Sequence, residues 1–215
     1  MFNKFFLVAS IALLVLGCEK RVPTEIDYGQ IDNRLYRNDY FNMTVKIPEN
    51  WVVQSQATQK DLMNLGKELI AGEDEGLKNI LKLSEQNQIN LFVFLKYEMG
   101  SPVPFNPSIA SLADKVAQYP GIKRGSDYLY HVKNSLKASP MNFDFPDDIY
   151  TRPVSNISFD IMPAILTIGE KTVKQEYYAA RIKDYVLGMV LTYTSEEELA
   201  ELLEIVNNIS FSPGN

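Results

Sequence analysis

The chain has 215 residues, with 27 acidic against 21 basic side chains and a net charge of −6. That length suits one domain with a sizeable core, and the acidic balance excludes a nucleic-acid binder, which needs clustered Lys and Arg. One His and one Cys exclude a typical zinc site and any disulfide framework.

Residues 1–17 read as a targeting segment rather than as part of the fold. Lys4 supplies a positive start, and Phe5 to Leu16 form an apolar run broken only by Ser10. The run is shorter than the roughly 20 residues a bilayer span needs, and no later stretch is long or apolar enough either. It ends in Val15-Leu16-Gly17-Cys18. That ending resembles the lipobox of bacterial lipoproteins: an aliphatic residue, a variable one, Gly or Ala, then Cys. Val15 stands where Leu is usual, and Leu16 where a small residue is usual. The resemblance implies diacylglycerol on the Cys18 thiol, cleavage before it and acylation of the new amine. Cys18 has no other cysteine to pair with. Two or three acyl chains anchor firmly, because stable anchoring takes at least two signals. The implied product is an exported lipoprotein tethered to a membrane and facing the periplasm. Glu19 follows the Cys, where enteric bacteria use Asp for inner-membrane retention, so the outer membrane is favoured.

Residues 18–33 are polar, with Pro23, Gly29 and no apolar period, and read as lipidated Cys plus flexible tether. Fifteen extended residues reach about 50 Å. The domain then occupies 34–215. Leu35-Tyr36-Arg37 is a first strand signal. Phe41, Met43, Val45 and Ile47 alternate with polar residues in a second, and Asn38-Asp39 supplies the turn between them. Pro48 ends the strand, and Trp51 opens a short further one. Residues 58–71 read as a helix with Leu62, Leu65, Leu69 and Ile70 on one face and Thr58 and Asp61 as its capping box. An acidic turn at 72–76 leads to a second helix carrying Leu77, Ile80, Leu81 and Leu83. Residues 89–97 form a strand apolar on both faces, expected at the centre of a sheet. Prolines 102, 104 and 107 mark a loop. Ile109, Leu112, Ala113 and Val116 then predict a helix over 108–118, and Leu129, Val132 and Leu136 another over 126–138. Residues 139–153 read as an irregular loop. Strands follow at 157–161 and 164–168, two strands or one bulged at Pro163, and then at 173–182 and 186–194. Ser195 and Glu198 form a capping box for a helix striped by Leu199, Leu202, Leu203 and Val206. A short last segment is Ile209-Ser210-Phe211.

This order predicts an α+β fold, an antiparallel sheet covered by helices. The opening Tyr36-Arg37-Asn38-Asp39-Tyr40-Phe41, followed by Val45-Lys46-Ile47-Pro48-Glu49-Asn50-Trp51, resembles the start of the Mog1/PsbP-like superfamily. The paired segments around Tyr178 and Met189, then Thr192-Tyr193, a helix and Asn208-Ile209-Ser210-Phe211, resemble its end. Residues 55–150 carry no such likeness. The resemblance implies an α-β-α sandwich and a binding or assembly role. Known members include a photosystem extrinsic subunit, a Ran-binding protein and bacterial envelope lipoproteins. Phe41 and Trp51 are expected to be core anchors.

Catalytic motifs are absent from the sequence. His131, the only histidine, sits off the apolar stripe of its helix, and a serine triad would need both it and a nucleophile elbow. No Ser-x-x-Lys, Walker A or Gly-x-Gly-x-x-Gly occurs. Asp144, Asp147 and Asp148, and separately Glu73, Asp74 and Glu75, cluster without calcium-loop spacing and read as solvated. Neither a metal nor a cofactor is expected. The segment 139–150 is the one feature singled out: Met141, Phe143, Phe145 and Tyr150 among acids and prolines make either a protein interface or a lid folded on the core. The expectation is a non-enzymatic envelope lipoprotein that binds or assembles a protein partner. The alternative is a small-ligand or ion-binding lipoprotein gated by the 139–150 loop.

Overall fold

The computed structural model describes residues 26–212; the leader 1–17 and the expected lipidation site Cys18 lie outside them. In chain order the strands are β1 Gln30–Asp32, β2 Leu35–Asn38, β3 Met43–Lys46, β4 Val52–Val53, β5 Gln88–Leu95, β6 Ser108–Lys115, β7 Asn142–Asp144, β8 Tyr150–Val154, β9 Ile157–Ile168, β10 Lys171–Ile182, β11 Tyr185–Tyr193 and β12 Ile209–Phe211. The helices are α1 Gln56–Ala71, α2 Glu75–Glu85, α3 Gly125–Ala138 and α4 Glu196–Asn207. The fold is α+β, with two antiparallel sheets rather than one. The smaller runs β1-β2-β3-β12, and the larger runs β4-β5-β6-β11-β10-β9-β7, with β8 also on β9.

Alternation decides the small sheet. Met43 and Val45 are buried while Thr44 and Lys46 point away. With Tyr36, Tyr40, Phe41, Ile47 and Trp51 they pack on one face of the large sheet. α4 closes the same core with Leu202, Ile205 and Val206. Its capping box forms as predicted: Glu198 N donates to Ser195 Oγ at 3.3 Å, and Ser195 N donates to Glu198 Oε2 at 3.2 Å. The opposite face of the large sheet carries α3, whose Leu129 and Leu136 pack with Met162, Ala179 and Val186, and Ile70 of α1 joins them. The large sheet thus lies between α4 with the small sheet on one side and α3 with α1 on the other.

Five expectations are corrected. Residues 27–33, expected as tether, are docked. β1 pairs with β2 from Gln30↔Arg37 to Asp32↔Leu35, Asn38 Nδ2 donates to Asp27 O and Oδ1 at 3.0 Å, and the Tyr36 hydroxyl donates to Tyr28 O at 3.0 Å. β1 is exposed on both faces, so it carries no apolar period. Residues 108–118, expected as helix, contain β6. Their apolar residues fit both periods, and pairing to β5 on one side and β11 on the other selects the strand, burying Ile109, Ser111 and Ala113 on one face. The Ser111 hydroxyl donates to Gly188 O at 3.0 Å, which lets a polar residue face inward. The 139–153 loop contributes β7 and β8, both paired with β9. β9 itself runs unbroken through Pro163. β8 covers it from Ile157 to Ile161 and β7 from Ile165 to Thr167, so the proline sits in the gap where no partner strand asks for its amide hydrogen. Finally, α1 starts two residues early, at Gln56, with Ser55 Oγ accepting the Thr58 amide at 3.2 Å, so Ser55 and not Thr58 is the cap.

Candidate binding site

The 139–150 aromatics do not form one surface. Phe143 and Phe145 fold back on the α3 side of the large sheet, rings 6.4 Å apart and stacked. Lys133 and Lys137 of α3 lie over the Phe145 ring at 4.9 and 5.8 Å, which fastens the segment to the helix. Met141 is half-buried before them. Tyr150 instead pairs with Ile161, a residue of the core on the opposite face of the sheet.

There Tyr150 meets a polar cluster that sequence reading missed. Glu176 is buried, and the Tyr178 hydroxyl donates to its Oε2 at 2.8 Å. Arg152 Nη2 donates to Asn207 Oδ1 at 2.9 Å, and its Nη1 reaches the Tyr178 hydroxyl at 3.5 Å. Burial and then the Glu176 charge push the Tyr150, Tyr178 and Tyr193 hydroxyls upward. These residues sit at alternate positions of β8, β10 and β11, where each reads as ordinary strand composition. The network joins β8 and β10 to α4.

The carboxylate groups noted in the sequence have local tasks. Asp74 Oδ1 accepts the Leu77 amide at the start of α2, Glu75 pairs with Lys78 at 2.7 Å, and Asp144 Oδ1 accepts the Phe145 amide. Asp147 and Asp148 are exposed, as is His131, whose ring meets Tyr130 edge-on. Among the described residues, no group of three or more His, Cys, Asp or Glu could hold a metal ion. No helix among them is long and apolar enough to cross a membrane.

α1 is the unusual element. Of Leu62, Leu65, Leu69 and Ile70, expected to turn inward, Ile70 packs against the core but Leu65 and Leu69 are each 53% exposed. The buried residues of α1 are Gln59 and Ala71. A cleft of about 450 Å³ lies along this helix. It is lined by Gln56, Gln59, Lys60, Asn64 and Lys67 from α1 and by Gln88 and Asn90 from β5, together with Tyr28, and by no Asp or Glu. A second depression of about 700 Å³ continues between α1 and α2 and shares Asn64 and Lys67 with the first. Gln59 Nε2 donates to Gln54 O at 2.9 Å, and its Oε1 is buried without a partner. Beneath Lys67, the Tyr128 hydroxyl donates to Asp114 Oδ2 at 3.0 Å. Burial raises the Asp114 carboxyl, and the Tyr128 bond and Lys67 charge oppose that.

Antiparallel sheets with four helices make an α+β fold that has a PsbP-like structural neighbour. The chain is similar to the cyanobacterial PsbP, CyanoP, of Synechocystis sp. PCC 6803: TM-score 0.50, 8% identity, covering 86% of this chain and 98% of that one. It also has a weaker likeness to LpqN of Mycobacterium tuberculosis, described as involved in cell envelope biogenesis, with TM-score 0.43, 13% identity, 80% of this chain and 83% of that one. No protein-family model and no curated protein matches the sequence. At these identities the likeness is one of fold.

Proposed function

We propose that this is an exported, lipid-tethered envelope protein that binds a protein partner through α1 and α2 and catalyses no reaction of its own. One observation carries the reading. Leu65 and Leu69 stand one helical turn apart at 53% exposure each, and Ile80 of the adjoining α2 is 60% exposed. A helix stripe patterned for burial and left uncovered gains contact only on association. An anionic membrane is a poor occupant for that face in a chain of net charge −6. The lipobox-like Val15-Leu16-Gly17-Cys18 supports the tether, and the lack of a nucleophile–base motif supports a binding role.

The test is cross-linking on intact cells followed by mass spectrometry of the tagged protein. Cys18→Ala with its export segment kept, and Leu65→Ser/Leu69→Ser, run beside the native chain. The expected result is one abundant envelope protein, lost in both variants. A clean protein with no partner in any sample would overturn the proposal.

A further inference from the structure

We infer that the groove along α1 takes an extended peptide segment, gripping its main-chain amides through carboxamides and seating a carboxylate beside Lys60. This rests on the reading of α1 as the recognition element and names what the partner would present there.

Three observations carry it. The first is chemical. A carboxamide offers both N–H donors and a carbonyl acceptor, as a peptide unit offers one of each, so Gln56, Asn64, Gln88 and Asn90 can each meet a main-chain amide at two points without regard to side-chain identity. Gln59, another residue of the cleft wall, has a buried Oε1 without a donor. The second is length. The residues facing the groove recur as Ala57, Lys60, Asn64, Lys67 and Ala71, one continuous stripe of the 16-residue helix. At a rise of 1.5 Å per residue, the helix spans about 24 Å. That length matches about seven residues of extended chain, and the two depressions joined at Asn64 and Lys67 run the same way. The third is charge. No carboxylate lines the carboxamide end. Lys67 already acts on Asp114, so the exposed Lys60 is the ammonium that selects an acidic side chain or a chain terminus.

The experiment is fluorescence anisotropy on the full-length lipoprotein in detergent micelles. The probes are labelled octapeptides of Ala, Gly and Ser, with free or amidated C-terminus, with and without one Asp, and one backbone-N-methylated copy of the best binder. Acid-bearing peptides are expected to bind about tenfold more tightly than the neutral amidated one. Lys60→Ala should erase that ratio, and Gln56→Ala and Tyr28→Ala should weaken every peptide; all three positions are exposed, and an unchanged melting temperature checks the fold. The N-methylated copy should not bind. Equal binding of that copy, an unchanged ratio in Lys60→Ala, or binding of none of the peptides, with or without binding of a labelled uronic-acid disaccharide, would each overturn the inference. Capture of a partner through Leu65 and Leu69 without peptide binding here would end this inference alone. Peptide binding without a captured partner would sustain it and count against the leucine face.

Discussion

The Tyr178 hydroxyl donates to Glu176 Oε2 at 2.8 Å, from two residues along the same face of β10. Glu176 is a buried carboxylate, so removing its donor leaves the charge under-satisfied. Tyr178→Phe is expected to lower unfolding stability by about 1–3 kcal/mol, read as a reduced urea midpoint at constant slope. The same burial raises the hydroxyls of Tyr36, Tyr177, Tyr178 and Tyr193 above the ordinary 10.0. A hydroxyl that holds its proton more tightly in the fold contributes stability that is complete below 10.0 and is lost as pH rises toward the folded value. Alkaline titration should therefore show the buried residues' share of the tyrosinate absorbance appearing only together with loss of near-ultraviolet circular dichroism, apart from the share of the exposed Tyr28, Tyr97, Tyr119 and Tyr130. The full tyrosinate absorbance, buried residues included, reached while the fold persists would contradict this.

Asp114 behaves in the opposite way to a salt-bridged acid. Burial raises its carboxyl, so the native state is penalised as pH climbs through that value, and stability is greatest when the group is protonated. Asp114→Asn keeps an acceptor for the Tyr128 hydroxyl and removes the charge. The variant should have the higher urea midpoint at neutral pH, with the difference closing as pH falls through the raised folded value to the ordinary 3.8. A constant difference across that range would sink the argument.

Two glycines in helices should respond with opposite signs. A Cβ on Gly125 would lie 2.0 Å from Ala179 O, the backbone of β10, and no rotamer relieves that. Gly125→Ala should cost about 3 kcal/mol and lift the start of α3 from the sheet. Gly66, inside α1, has nothing within 4 Å of the same position. Gly66→Ala should add about 0.5–1 kcal/mol through backbone entropy. Thermal unfolding of the two variants side by side checks both.

The leucines separate binding from folding. Leu65→Ala and Leu69→Ala should each change stability by less than about 0.5 kcal/mol, as exposed substitutions do. Leu129→Ala, 1% exposed under α3, should cost about 2–5 kcal/mol. Partner capture should fail only in the first pair when both proteins are folded.

Much of the fold was legible because it obeys local rules. The Met43-Val45 alternation, the Ser195–Glu198 capping box and the Leu202-Val206 stripe each name their element and its inner face. β6 was not legible, since Ile109, Leu112, Ala113 and Val116 satisfy a helix while Ile109, Ser111 and Ala113 satisfy a strand, and only the neighbouring strands choose. The site was least legible of all. The Leu62-Leu65-Leu69 pattern names a buried face by its period, and the structure leaves Leu65 and Leu69 outside, with Gln59 buried instead. Gln88 and Asn90 belong to a strand distant in sequence from α1, so no spacing rule could bring them to Lys60. The Glu176 network likewise gathers single residues from separate strands.

The large sheet ends in very short strands: two residues of β4 at one margin and three of β7 at the other, with the proline-bearing β8 beside it. Its 12-residue ribbons, β9 and β10, lie inside. Unpaired ladder groups on a long flat margin are templates for another chain's strand, and short margins interrupted by proline deny that template. Copies of this protein crowded side by side would therefore resist edge-to-edge aggregation.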